Sequence, residues 1–358
     1  MAELAYAAVL GTALWGFESL RRHVKISELR TPALVVEADA LRANLAALSA
    51  VLPGARLRPH VKAHKCSALA REQLAMGHPG LTTATVGEAV GLAKAGVNAD
   101  ILIANETMDA ARIGELVAAG HRITLAIDST ETMHAALIGG VRDVVIDVNV
   151  GLPRCGMAPD NAGPLAQAAR TMGLEVRGVM GYEGHATALA DRTERARATG
   201  TAMDLLALAA ADVGGEIISA GSTATYEHNT VATEIQAGSY VFMDSYFGGF
   251  GLPFSQALYV VSTVLHVNDT AERVYAVGDA GLKSFGMDHG NPGVVDHGKT
   301  WFLADEHIIF TPATPLRPGD RIRITPGHID PTVAYHEWIN VVDGDDVVER
   351  WPVDLRGW

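Results

Sequence analysis

Cysteine is scarce in this chain of 358 residues: Cys66 and Cys155 are its only two, too few for a disulfide framework. Their scarcity suits a reducing compartment, and the cytoplasm is the expected location. Basic residues are outnumbered, 28 Lys and Arg against 41 Asp and Glu, and the net charge of -13 speaks against the positive surface that nucleic acid or an anionic membrane requires. Small molecules are the expected partners. Long apolar runs are absent except at the start, where Met1 to Phe17 is interrupted only by Glu3. That stretch lacks a basic leader, is short for a bilayer and runs into Glu18, Arg21, Arg22 and His23, so a packed helix is expected rather than a membrane anchor. Repeats and low-complexity tracts are also missing. What remains, 48% hydrophobic and 19% charged, is the composition of a folded globular chain long enough for two domains.

From Thr31 onward, short β-rich runs alternate with Ala- and Leu-rich stretches of helical spacing such as Val86 to Ala95 and Ala162 to Met172, the pattern of βα units. Eight strands are predicted: Leu57 to Val61, Leu81 to Val86, Ile101 to Ala104, Ile123 to Ile127, Val144 to Val150, Gly178 to Tyr182, Glu216 to Ser219 and Glu234 to Phe242. Eight parallel strands favour a closed (β/α)8 barrel over an open sheet, with its chemistry at the strand C-termini. After about Leu258 the texture becomes all-β, with Pro and Gly turns. The expected division is a barrel over residues 29–257 and a β-domain made of 1–28 and 258–358. One further strand, Thr31 to Glu37, precedes the eight and is followed by a helical pattern from Ala38 to Leu52; a link between the domains is its expected role.

The segment Leu57 to Lys65, LRPHVKAHK, ends a predicted strand with Lys62 flanked by His60, His64 and Lys65. A lysine among other cations and partly desolvated has a lowered pKa, so its neutral amine can attack a carbonyl and form a Schiff base. A surface lysine at a strand end is the plain alternative. Other reactive types fall at equivalent strand ends: Thr83 and Thr85, Asn105 and Glu106, Asp128, Arg154, Tyr182 with His185, then Ser222, Thr223 and Thr225. Asp128 and Thr85 could equally cap the helices that follow, Asp128 more so.

The GSTAT segment, Gly221 to Thr225, follows the seventh strand, where barrels bind phosphate through N–H groups and hydroxyls. Gly238, Ser239 and Tyr240 at the eighth strand could complete the cradle, although ordinary turns would also account for these glycines. Far downstream, PGHIDPT places His328 and Asp330 two apart on a predicted strand, both on one face. An imidazole and a carboxylate with open positions suit a hard ion such as Mn²⁺ or Mg²⁺, while Zn²⁺ prefers a softer set. An edge-strand histidine and a turn aspartate are the alternative. His307 is a further candidate for that pocket, with a surface loop the simpler account.

Taken together, RPHVKAHK, the GLPRCG of Gly151 to Gly156, EIQAGSYVFMD and PGHIDPT resemble the alanine-racemase-like, fold-type III pyridoxal-phosphate enzymes, in the branch of D-threonine aldolase and D-serine dehydratase. The resemblance runs from Thr31 to Trp351. It implies that Lys62 carries pyridoxal 5'-phosphate as a Schiff base, that Arg154 lies near the ring oxygen and Tyr182 lines the ring pocket, and that the chain is a homodimer whose β-domain closes the partner's barrel. It also implies that His328 and Asp330 are the metal site, where dehydratases carry cysteine and aldolases aspartate. Asp330 therefore points to metal-assisted cleavage of a D-β-hydroxy-α-amino acid into glycine and an aldehyde, with His185 a possible base. Met180 stands where many relatives have glutamine, and the GYEGH of Gly181 to His185 departs from the usual aldolase form, which leaves the substrate open. Dehydration to a keto acid and ammonia is the first rival. Racemisation would need a second base opposite Lys62 and gives a metal no task, and a non-catalytic cofactor carrier would have no use for the β-domain.

Overall fold

A computed structural model describes residues 24–357. The helix expected over Met1 to Phe17 lies outside the described residues.

Seven parallel strands lie side by side in chain order: Gly80–Thr83, Asp100–Ile103, Ile123–Ile127, Asp143–Asp147, Glu175–Met180, Ile217–Ala220 and Glu234–Ile235. The gap between the first and the last is filled by Leu57 to His60. Leu57 bridges to Ile235 and His60 to Thr82, both in parallel, and the Arg58 and His60 N–H groups donate to the carbonyls of Ile235 and Ala237. This closing segment makes only isolated bridges because Pro59 has no N–H to give; its carbonyl accepts from Thr82 instead. The expected strand stops at His60, and Lys62 sits on a single 3-10 turn, Val61–Ala63. The last expected strand is likewise shortened to Glu234–Ile235, and Ser239–Val241 forms another 3-10 turn.

Alternation along the strands sends every second side chain outward to the helices and the ones between them inward. Ile101, Ile103, Leu125, Ile127, Val144 and Ile146 belong to the large core under the helices, while Leu102, Ala126, Val145, Met180 and Ile217 form a separate apolar layer inside the barrel.

The second sheet has ten strands. Ala33–Glu37 lies within it, antiparallel to Leu258–Thr270 and parallel to Trp338–Asp343, so from this strand the chain crosses through Ala38–Val51 to the barrel and returns to the sheet at Leu258. Here the reading of PGHIDPT as a strand is corrected. The strand Arg321–Thr325 ends before Pro326 and Gly327, His328 is extended at the N-cap of a helix, and Asp330 lies in the first turn of that helix, Ile329–Tyr335. Pro331 is tolerated there because first-turn N–H groups have no partner within the helix. His328 and Asp330 still face each other, but through a helix start.

Candidate active site

A cavity of about 430 Å³ opens at the C-terminal ends of the barrel strands and reaches to the start of the Ile329–Tyr335 helix. Its volume falls within the range of small-molecule sites. Lys62 projects into it, with Nζ 3.5 Å from Asp330 Oδ2. Burial favours the neutral amine, but the charges of Asp330 and Tyr182 outweigh it, so the Lys62 pKa is raised. The lowering expected from neighbouring cations is therefore corrected, and the reason lies in those neighbours. Lys65 is turned away and paired with buried Glu88 at 2.5 Å. His60 and His64 are neutral, because burial first and nearby lysines second push His60 well down and His64 to about 4. His64 Nδ1 accepts the Cys66 N–H at 3.2 Å, which leaves Nε2 to donate to Gln73 Oε1, and Gln73 donates in turn to the Tyr240 hydroxyl at 3.1 Å.

Gly221, Ser222, Thr223, Gly238 and Ser239 also face the cavity. Tyr240 N–H donates to Thr223 Oγ1 at 3.0 Å, which ties the two loops together. The N–H groups of Thr223 and Gly238 have no protein acceptor among the described residues and remain available to an anion. A side chain at Gly238 would come within 2.9 Å of the His60 carbonyl, so only glycine allows this loop to approach the Lys62 segment. These features fit a phosphate. Two predicted members stand behind the cradle: Tyr240 is wholly buried, and Thr225 accepts the Ser222 N–H while giving its proton to Glu183.

Thr85, Arg154 and Tyr182 also line the cavity. The Thr85 hydroxyl oxygen caps Val86–Lys94 by accepting the Glu88 N–H at 3.1 Å, and the Arg154 guanidinium lies 5.2 Å from the Tyr182 ring centroid. Asp128 is not a cap: Ser129 caps Thr130–Gly139, whereas Asp128 accepts the Gly156 N–H at 3.1 Å and braces the loop carrying Arg154. His185 does not line the cavity; its ring packs against Gly151, and Nδ1 is buried without a partner. His307 is exposed on a turn of the β-sheet. The thiols are held protonated, Cys66 pushed up to about 12 by burial and Cys155 to about 11 by its bond to Glu106.

On the β-domain side, His328 Nε2 lies 3.8 Å from Asp330 Oδ1, a buried oxygen with no hydrogen-bond partner. His328 Nδ1 bonds to Asp288 Oδ2 at 2.7 Å, which fixes the tautomer and leaves Nε2 free to ligate. An orphaned carboxylate oxygen beside an oriented imidazole fits a divalent metal. Asp288 and His289 escaped the sequence reading. Their ligand atoms lie within 4.8 Å of each other and of His328, and the His289 ring is sandwiched at 4.2 Å between His328 and Tyr246. The signal was the adjacent acid and imidazole in MDHGNPG, which otherwise reads as a turn.

Residues 36–246 match the family model described as "Alanine racemase, N-terminal domain", and residues 257–342 match "Putative serine dehydratase domain". The chain is 32% identical to D-threonine aldolase of Arthrobacter sp, over 93% of this chain and 94% of that protein. It is 30% identical to D-threo-3-hydroxyaspartate dehydratase of Delftia sp. (strain HT23), over 92% and 98%. The crystal structure of D-threonine aldolase from Filomicrobium marinum aligns with a TM-score of 0.87 at 29% identity, covering 96% of this chain and 99% of that one. With a lysine-bearing barrel joined to a β-domain and both parts matched in order, the chain belongs to the alanine-racemase-like family, among relatives named as aldolases and dehydratases of D-hydroxyamino acids.

Proposed function

We propose that the protein is a lyase dependent on pyridoxal 5'-phosphate and a divalent metal, Mn²⁺ or Mg²⁺ before Zn²⁺, that cleaves a D-threonine-like D-β-hydroxy-α-amino acid to glycine and an aldehyde. The observation that carries this reading is the placement of Asp330, with one oxygen 3.5 Å from Lys62 Nζ and the other 3.8 Å from His328 Nε2. An amine for the cofactor and a hard ligand pair for a substrate oxygen thus share one cavity.

When bound, the cofactor supplies an electron sink for the bond broken at the α-carbon, and the metal supplies a Lewis acid for the β-hydroxyl. Lys62 provides the amine that would hold the cofactor. Thr223 and Gly238 would offer N–H groups to its phosphate, with Ser222 and Ser239 beside them, and Arg154 and Tyr182 are the cavity residues that would hold the ring. Asp288 keeps the His328 ring turned with Nε2 toward Asp330. His289 takes the role first given to His185: it lines the cavity at the metal pair, and burial lowers its pKa, so a neutral imidazole stands where the hydroxyl proton must leave. Tyr246 and Phe247 line this end of the cavity.

The dehydratase relative supports a second reading, in which Lys62 removes the α-proton, hydroxide leaves the β-carbon, and water hydrolyses the released enamine, as its imine tautomer, to a keto acid and ammonia. Asp330, at the position where the resemblance gives dehydratases cysteine, favours cleavage. Incubation with D-threonine and with D-serine, in the presence of pyridoxal phosphate and Mn²⁺, tests both. Metal-dependent glycine and acetaldehyde are expected; keto acid and ammonia would replace the cleavage reading by dehydration, and no Lys62-dependent turnover of either would refute both.

A further inference from the structure

Glu183 is fully buried behind the cradle, and its carboxyl meets neutral groups: the Gly221 N–H at 3.3 Å on Oε2 and the Thr225 hydroxyl at 2.5 Å on Oε1. From Thr225 a row of hydroxyls runs to the cavity. Thr225 Oγ1 lies 3.0 Å from Ser222 Oγ, which lies 2.9 Å from Thr187 Oγ1, and both Ser222 and Thr187 line the cavity.

Each hydroxyl has one proton to give, so the row has two self-consistent arrangements. With Glu183 ionised, Thr225 donates to the carboxylate, Ser222 to Thr225 and Thr187 to Ser222. All three protons then point inward, and the cavity faces lone pairs. With Glu183 protonated, every bond in the row reverses: Glu183 donates to Thr225, Thr225 to Ser222 and Ser222 to Thr187, whose own O–H, directed only weakly at the Glu183 carbonyl 3.4 Å away, can turn to an anion. A phosphate in the cradle therefore gains a donor and loses a buried like charge when Glu183 carries a proton.

We propose that Glu183 is a positioning residue that sets the hydrogen-bond polarity of the phosphate cradle, taking up one proton as the phosphate enters. The inference rests on the cradle assigned under the proposed function. The titratable groups nearest on the surrounding elements are Tyr182 and His185 on its own segment, Tyr226, Glu227 and His228 on the turn after GSTAT, and Arg195 on the Arg192–Val213 helix, whose guanidinium is spent on main-chain carbonyls. None of them contributes to the proton affinity of Glu183, which burial raises and the bonds from Thr225 and Gly221 only partly restore.

The test is calorimetric titration of the full-length apoprotein with pyridoxine 5'-phosphate, which has no aldehyde for Lys62, in two buffers of different ionisation enthalpy at pH 8. The wild type is expected to take up about one proton more than Glu183→Gln, whose amide keeps a donor for Thr225 and an acceptor for Gly221. Its affinity should fall about tenfold more per pH unit than that of the variant above neutrality. Thr187→Val removes the outer hydroxyl and leaves Ser222 as the cavity end of the row, so it should diminish the extra uptake, an arm that stands even if Glu183→Gln does not fold. Equal uptake in wild type and either variant would overturn the proposal. Pyridoxine binding as tightly as its phosphate would instead remove the cradle itself, and with it the assignment on which the inference rests.

Discussion

At the N-terminal end of the barrel, Arg177 bonds to both oxygens of Asp100 at 3.0 and 2.9 Å, to the Thr124 hydroxyl and to Glu216, while Arg58 joins Glu234 at 2.8 Å. At the C-terminal end, Asp147, Glu183 and Asp244 are buried but have no ion pair among the described residues. The carboxyls record the contrast. Asp100 is pushed up by burial, yet the Arg177 bonds and the charges of Arg58 and Arg122 bring it below its ordinary value. Burial dominates at the other end, holding Glu183 and Asp147 above theirs and Asp244 at about 6; the neighbouring Glu106 raises Asp147 further. Buried atoms without a partner at this end include Thr83 Oγ1, Glu106 Oε1, His185 Nδ1 and Asp330 Oδ1, and Arg177 Nε is one at the other end. One end satisfies its charges internally and serves stability; the other leaves donors and acceptors open and serves a ligand.

The sharpest way to break this comparison is Lys62→Ala. Turnover should fall about 10³-fold or more while the urea unfolding midpoint barely moves, because the lysine is a half-exposed group at the open end. Arg177→Met should do the reverse. It leaves half-buried Asp100 without its bidentate partner and with only Arg58 and Arg122 at 3.5 Å, at a cost of about 1–3 kcal/mol read by urea unfolding, with unchanged affinity for pyridoxine 5'-phosphate. A large loss of affinity in that variant would mean the two ends are not separable.

Asp288→Asn sharpens the open end. Without a carboxylate on Nδ1, His328 loses its fixed tautomer, and Mn²⁺ affinity should drop about 10–100-fold in a titration followed by electron paramagnetic resonance. An unchanged affinity would remove Asp288 from the site. The smallest effect is on acid stability. Asp100 has a folded pKa below its unfolded value of about 3.9, so its stabilising contribution is present above that value and is lost as pH falls through the folded one. Glu183 and Asp147 are raised and carry the opposite sign, favouring the fold at low pH and losing that contribution as pH rises through their folded values. Unfolding free energy measured from pH 5 to pH 2 should therefore fall less steeply in Arg177→Met than in the parent chain.

Much of the open end is legible from single residues. Lys62 stands out because a cationic run is rare at a barrel strand end, and Gly221 and Gly238 because small residues after the last strands admit an anion. His328 and Asp330 are found through their spacing although the element is wrong: spacing of two puts residues on one face of a strand, and a helix start happens to bring the same pair together. His185 misleads, since its neighbours Tyr182 and Gly184 do line the cavity while its own ring turns to Gly151. Asp288 and His289 are hidden for the opposite reason, being remote in sequence from the other site residues and set among turn formers.

The sequence by itself determined the order and type of most elements, since period and cap chemistry are local, and it singled out the two motifs that meet at the cavity. Three matters were left to the tertiary structure: the direction in which the Lys62 pKa moves, the choice among cavity histidines, and the polarity open to the Glu183 hydroxyl row. Each depends on which charges and hydroxyls lie within a few ångströms of one another. Electrostatic and hydrogen-bond energies depend on such distances, whereas sequence separation does not report them.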